Sequence, residues 1–230
     1  MNILITSGGT SEKIDQVRSI TNHSTGQLGK IIAEHCLANG ATVTLLTTEK
    51  AVKPAPHEQL TIRMIENTNQ LLLAMRELVP AHDVLIHSMA VSDYKPIYMA
   101  GFEEVLASSD MTEFLDKSNS QSKISSADDY QVLFLKKNPK IISKVKEWNP
   151  NIRLIGFKLL VDVSQEELLT TAGSSLIKNQ AELIVANDLT EISSGLHHAY
   201  LVGQNTVTEA FSKEDIAEKL LDHIQKGGRL

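Results

Sequence analysis

The apolar positions of this chain fall in short runs that switch between two periods. "NILIT" (2–6) is a compact apolar run that ends in the turn signal "SGGT". From Leu28, apolar residues recur at Ile31, Ile32 and Cys36, one face of a helix that begins near Gln27, and Asn39-Gly40 supplies its stop. "TVTLLTT" (42–48) is β-branched and strand-like, "AVKPAPHEQ" is a loop, and "LTIRMIE" (60–66) alternates as a strand does. "TNQLLLAMREL" (68–78) predicts a helix closed by Pro80, and "DVLIHSMAVSDY" (83–94) a buried strand with a polar end. Later come a strand over 131–135, a helix over 138–148 with Pro139 near its first position, and a strand over 152–161. Ser164 and Glu167 form a capping box for a helix running to about Asn179, followed by the buried strand "ELIVAND" (182–188). A hairpin over 199–211 turns at Asn205, and Ser212 caps a last helix with Ile216, Leu220 and Ile224 on one face.

Strands alternating with helices of about ten residues predict βαβ units. The expected fold is α/β and Rossmann-like: three layers, with a mostly parallel sheet and helices on both faces. In such sheets ligands sit beyond the carboxyl ends of the strands. That rule singles out "TSGGT", "TTEK" and "SMAVSDY". The stretch 97–130 breaks the pattern, being rich in Ser, Asp and Lys and weakly periodic. A stretch this long is functional or disordered inside a compact domain. We expect one domain over 1–230, with 97–130 as a protruding, flexible lid or flap.

Composition narrows the function. The net charge is −6, from 22 basic and 28 acidic residues, so nucleic acid is not the expected partner. A small polyanion needs only a local positive site and stays allowed. One cysteine precludes an internal disulfide, and no apolar run reaches the roughly 20 residues of a membrane span. With no basic leader before "MNILIT", the expectation is a cytoplasmic protein with no membrane association. Cys36, on the core face of the first helix, reads as an inert buried thiol.

Several residues could carry chemistry. Gly8, Gly9 and Thr10 form a turn whose N–H groups can cradle an anion, although tight turns use glycine anyway. Ser24, Thr25 and Gly26 precede a helix start, where free N–H groups bind phosphate and where Ser24 or Thr25 could equally well be simple caps. Asp93 and Tyr94 end a buried strand, where a carboxylate can accept from ribose hydroxyls or cap a turn. Lys123 lies in the polar stretch and could pair with phosphate, or simply be solvated. Lys178 could complement a helix C-terminus, and the histidines make no metal pattern. By themselves these residues imply an α/β enzyme acting on a phosphate ligand. A dinucleotide-dependent oxidoreductase is the main alternative, weakened because no G-x-G-x-x-G follows the first strand. A non-catalytic nucleotide-sensing module is a second.

Together the runs "TSGGTSEKIDQVRSITNHSTGQLG", "AVSDY", "SKISS", "LKKNPKII", "IGFK" and "LIKNQAELIVAND" resemble the phosphopantothenate–cysteine ligases of coenzyme A biosynthesis. The sequence resembles the stand-alone type, beginning directly with the ligase portion. The resemblance implies that CTP activates the carboxylate of 4′-phosphopantothenate as an acyl-cytidylate, releasing pyrophosphate. The amine of L-cysteine then displaces CMP. It implies that Asn22 holds and turns over the acyl intermediate, that Arg18 serves the second half, and that Lys123 neutralises phosphate charge. Ala90, with Ser24, Thr25 and Gly26, is implied to line the phosphopantothenate side. Gly8, Gly9, Thr10, His87, Ser88, Met89, Asp93, Pro139, Lys140, Ile141, Ile142, Phe157 and Lys178 are implied nucleotide contacts, with Asp93 on the ribose and the backbone of 87–89 along the nucleotide. Mg2+ with unknown protein ligands, a homodimer and no flavin are further implications. The sequence departs from the pattern at Ser125 and Ser126, which follow Lys123 where relatives carry more lysines. It departs again at Ser174, in place of a lysine, and at Met89, in place of a small residue. Bacterial members favour CTP and eukaryotic relatives can use ATP, so the preferred nucleotide stays open.

Overall fold

The computed structural model describes residues 1–119, 124–125, 128–193 and 195–227. In chain order the elements are β1 (Asn2–Ser7), β2 (Ser11–Lys13), β3 (Ser19–Thr21), α1 (Gln27–Ala38), β4 (Thr42–Thr47), β5 (Leu60–Met64), α2 (Thr68–Leu78), β6 (Val84–His87), β7 (Tyr94–Gly101) and α3 (Phe102–Ala107). There follow β8 (Gln131–Lys137), α4 (Val145–Trp148), β9 (Arg153–Leu160), α5 (Gln165–Asn179), β10 (Leu183–Asp188), β11 (Ile192–Ser193), β12 (Leu196–His197), β13 (Ala199–Val202), β14 (Val207–Ala210) and α6 (Lys213–Gln225).

Eight strands form one sheet in the order β14-β13-β10-β9-β6-β1-β4-β5. The pairs from β5 to β10 are parallel, and the β13–β14 hairpin adds an antiparallel edge. The side-chain period of two splits each central strand between the faces. Ile3 and Ile5 pack with Ile31, Ile32 and Cys36 of α1 and with Ile216, Leu220 and Ile224 of α6. Leu4 packs on the other face with Leu71 and Met75 of α2, Val145 of α4, and Leu168, Ala172 and Leu176 of α5. The expected three-layer α/β fold with helices on both faces is therefore the observed one. Cys36 is buried, and burial pushes its thiol up to about 12.

Two expectations change. The helix predicted over 138–148 is shorter: Ile141–Lys144 is a 3-10 turn leading into the single turn of α4. Asn138 holds the preceding "NPK" out of the helix. Its backbone N–H donates to the Asp93 carbonyl at 2.8 Å, and its amide donates to the Ser92 carbonyl at 3.0 Å and to Thr68 Oγ1 at 3.3 Å. The strand predicted at 131–135 joins β7 in a separate antiparallel ribbon, not the main sheet. The 97–130 stretch thus starts inside a strand, and it carries α3 and a 3-10 turn over Met111–Leu115. Its small core of Ala100, Val105 and Phe114, with Tyr98, Val132 and Phe134, is separate from those of the sheet.

Candidate active site

The sheet order reverses between β1 and β6. Succeeding strands go to one side of β1 through β4 and β5, and to the other through β6, β9 and β10. This opens a crevice at the carboxyl ends of β1 and β6. Beyond β1 the chain stays laced to the stretch beyond β6. The Ala90 N–H donates to the Gly8 carbonyl at 2.9 Å, and the Thr10 N–H to the Ala90 carbonyl at 3.0 Å. Thr10 Oγ1 accepts from the Ser92 N–H at 2.8 Å and donates to Ser92 Oγ at 3.0 Å. Ser88 Oγ donates to the Thr6 carbonyl at 2.7 Å.

Asn22 crosses over this unit. Its N–H donates to the Thr10 carbonyl at 3.4 Å, and its backbone runs so close to Gly9 that any side chain there would strike the Asn22 carbonyl. The Asn22 side-chain amide has no protein partner among the described residues. Four residues on, Gly26 takes φ +76 as the residue before α1, a left-handed conformation that L side chains rarely adopt. No side chain at Gly26 caps α1, and Ser24 does not cap it either. Only Thr25 Oγ1 approaches, accepting from the Gln27 N–H at 3.3 Å, and the first turn contains no acid. Uncapped N–H groups without a competing carboxylate suit an anion.

Arg18 stands outside the crossing. Its Nε and Nη2 donate to Asp15 Oδ2 at 3.0 and 2.7 Å, and Nη2 also donates to the Ile124 carbonyl at 3.0 Å. The Asp15 side chain is fully covered. The Arg18 guanidinium and the N–H groups of Val17, Arg18 and Ile124 hold its carboxyl far below the usual carboxylate range. The pair thus pins the chain at Ile124. Lys123, the preceding residue, lies outside the described residues.

Beside this crossing, between β6, β9 and α5, lies a cleft of about 480 Å³. Nine residues implied as nucleotide contacts line it: His87, Met89, Asp93, Pro139, Lys140, Ile141, Ile142, Phe157 and Lys178. Gly8, Gly9, Thr10, Ser88, Ala90, Asn22 and Ser24 to Gly26 belong to the adjoining crossing and not to the cleft lining. The lining holds three lysines, Lys140, Lys158 and Lys178, and one carboxylate, Asp93, so an acidic protein has a locally basic cleft. Lys140 forms an ion pair with Asp93 in which both side chains are well exposed, a weak link that a ligand can exchange. His87 is buried, and burial lowers its pKa to about 4. Sequence reasoning missed Asn138 and, on α5, Thr171, Ser175 and Asn179, which with Ser174 and Lys178 line one side of the cleft. The spacing on α5 was a signal: polar residues recur there on one helical face. No group of three His, Cys, Asp or Glu side chains that could hold a metal ion exists among the described residues, and no described helix is long and apolar enough to cross a membrane.

Known proteins resemble this arrangement over the whole chain. A crystal structure of the DNA/pantothenate metabolism flavoprotein from Streptococcus pneumoniae is 63% identical with TM-score 0.95, covering 98% of this chain and 99% of that one. The C-terminal domain of a coenzyme A biosynthesis bifunctional protein CoaBC superposes with TM-score 0.73 at 27% identity, over 98% of this chain and 94% of that one. The CoaBC protein of Thermococcus kodakarensis is 32% identical over 228 residues, 97% of this chain and 51% of its own length. The chain therefore spans about half the length of the curated relatives it matches. The family profile of the DNA/pantothenate metabolism flavoprotein C-terminal domain matches residues 1–103 and 102–227. With nearly every residue covered, this chain belongs to the family of DNA/pantothenate metabolism flavoprotein C-terminal domains.

Proposed function

We propose that this chain is a cytoplasmic phosphopantothenate–cysteine ligase of coenzyme A biosynthesis. Its substrates are CTP, 4′-phosphopantothenate and L-cysteine, and its products are phosphopantothenoylcysteine, CMP and pyrophosphate. The observation that carries this reading is the convergence of nine implied nucleotide contacts on one basic cleft, beside the Asn22 crossing. Membership of the family and the coenzyme A names of the relatives support it. The oxidoreductase alternative has no comparable support.

In this reading the carboxylate oxygen of phosphopantothenate attacks the α-phosphorus of CTP and the bond to pyrophosphate breaks. Lys140, Lys158 and Lys178 offset the triphosphate charge, and the same role falls to Lys123. The amine of cysteine then attacks the activated carbonyl, the bond to CMP breaks, and the amine loses a proton. Asn22 presents its unpartnered amide to the acyl group, where a neutral donor stabilises without repelling phosphate. Arg18 serves the second half by pinning Ile124, next to Lys123, through the Asp15 pair. Among the described residues there is no protein cage for a magnesium ion; such an ion would be held chiefly by substrate phosphates, with Asp93 the carboxylate in the described cleft lining. The reading requires no flavin. It includes a homodimer, expected in light scattering at twice the 25.3 kDa chain mass.

The test mixes the purified protein with phosphopantothenate, cysteine, magnesium and either CTP or ATP. Pyrophosphate and the ligated product are expected with CTP. Failure of both nucleotides to give product refutes the ligase, and product with ATP alone refutes the CTP assignment.

A further inference from the structure

The His87 side chain takes no part in the steps of the proposed ligation. That ring ends β6, in register with Thr6 of β1 on one side and Gly156 of β9 on the other. Thr6 Oγ1 lies 2.7 Å from His87 Nδ1 and accepts from the Met89 N–H at 3.3 Å. Thr6 is fully buried, and its hydroxyl proton meets no other acceptor among the described residues. That proton therefore goes to Nδ1, which must accept, and the ring proton sits on Nε2. His87 lines the cleft, and Nε2 has no protein partner among the described residues. Met89, Val91 and Ile142, which line the same cleft, also pack into the core and form its apolar wall. Gly156 packs directly under Ile184 and Ile142, which a Cβ there would crowd.

A neutral donor fixed in an apolar wall suits an uncharged heterocycle, not a phosphate. We propose that His87 is a specificity-determining residue, donating Nε2–H to a carbonyl or ring-nitrogen acceptor on the nucleotide base, and that Thr6 positions it by setting its tautomer. The proposal rests on reading the cleft as the nucleotide site.

The test is calorimetric titration of the whole protein with CMP, CTP and inorganic tripolyphosphate, without phosphopantothenate or cysteine. His87→Phe keeps the ring volume and loses the donor. It should weaken CMP and CTP by a similar factor, roughly five- to ten-fold, and leave tripolyphosphate unchanged. His87→Gln, which can still donate, should recover part of the loss. Unchanged CMP affinity in His87→Phe overturns the proposal, as does an equal loss for tripolyphosphate. A nitrogen-15 spectrum of the unsubstituted protein should show the Nε2–H tautomer, with the bias lost in Thr6→Val. An Nδ1–H ring in the unsubstituted protein overturns the positioning role even if no variant folds. Because these titrations include no ligation, a protein that binds CMP through His87 yet makes no product would sink the ligase and spare this contact.

Discussion

Asn22 is the residue whose chemistry is most exposed to a one-atom change. Its backbone lies against Gly9, its amide has no partner among the described residues, and the first turn of α1 four residues on carries no acid. Asn22→Asp keeps the shape and adds a negative charge where the proposed substrates are phosphorylated. We expect amide formation to fall by roughly 100-fold and acyl-cytidylate formation to fall far less. Rapid-quench measurement of pyrophosphate release and of product separates the two steps, and equal loss in both would count against the role given to Asn22. At this scale the sequence was legible where turn chemistry is local. Gly9 and Gly26 were recognisable because close backbone approach and positive φ leave glycine little competition. Thr171, Ser175 and Asn179 of the α5 stripe were not, because nothing local to α5 says which of its faces meets β9. Nor could spacing reveal that Arg18 would spend its fork on Asp15 and Ile124 instead of facing the cleft.

At the amino ends of β9 and β10, opposite the cleft, elements are joined by a half-buried polar knot. Arg153, at the start of β9, donates from Nε to Glu182 Oε2 at 2.8 Å and from Nη2 to Oε1 at 2.5 Å. It also donates to the Ile224 carbonyl at 2.7 Å and the His223 carbonyl at 3.3 Å, satisfying the C-terminal end of α6. His223 Nε2 approaches Glu182 at 2.7 Å. Burial alone would raise the Glu182 carboxyl, but Arg153 and His223 outweigh it and hold the pKa at about 2. A depressed folded-state value contributes stability above the unfolded pKa, and that contribution is lost as pH falls. The window therefore runs from about 4.5 down to about 2. Glu182→Gln should cost on the order of 1–2 kcal/mol at pH 7, discounted because the pair is partly solvated, and should flatten the acid limb in that window. Urea melts at pH 7, 4 and 3 read it, and a cost that stays constant across them would contradict the linkage. Most elements here were legible, α2 to the residue, since apolar period and capping residues act within a few positions. The helix expected over 138–148 was not, because the bonds that hold Asn138 extended come from Ser92, Asp93 and Thr68, remote in sequence. The partner of β8 was equally hidden, since periodicity specifies a strand and not its neighbour.

At the scale of the whole molecule there are two cores flanking one sheet and a third, small core in the β7–β8 ribbon. The sheet cores share strands, with Leu4 facing one layer while Ile3 and Ile5 face the other, so they should open together. The third core shares no residue with them, and its centre is Phe114. That ring is fully buried, stacks on Phe134 at 4.9 Å between centroids, and has Lys117 Nζ 4.3 Å from its own centroid. Exposed Phe102, Leu106, Met111, Leu115 and Tyr130 lie on the same part of the chain. A buried Phe→Ala change costs about 3–5 kcal/mol in a large core. The ribbon's core is too small to absorb that loss, so Phe114→Ala should melt it locally. Hydrogen exchange should show the amides of 94–101 and 131–137 losing protection, while those of β1, β4 and β6 keep theirs. Nucleotide binding to the cleft should weaken, because β7 follows directly on Asp93 and β8 leads directly into Asn138 and Pro139. If protection instead fell uniformly across the main sheet, the ribbon would be part of the same cooperative unit, and the division into a rigid sheet and a separable arm would be wrong.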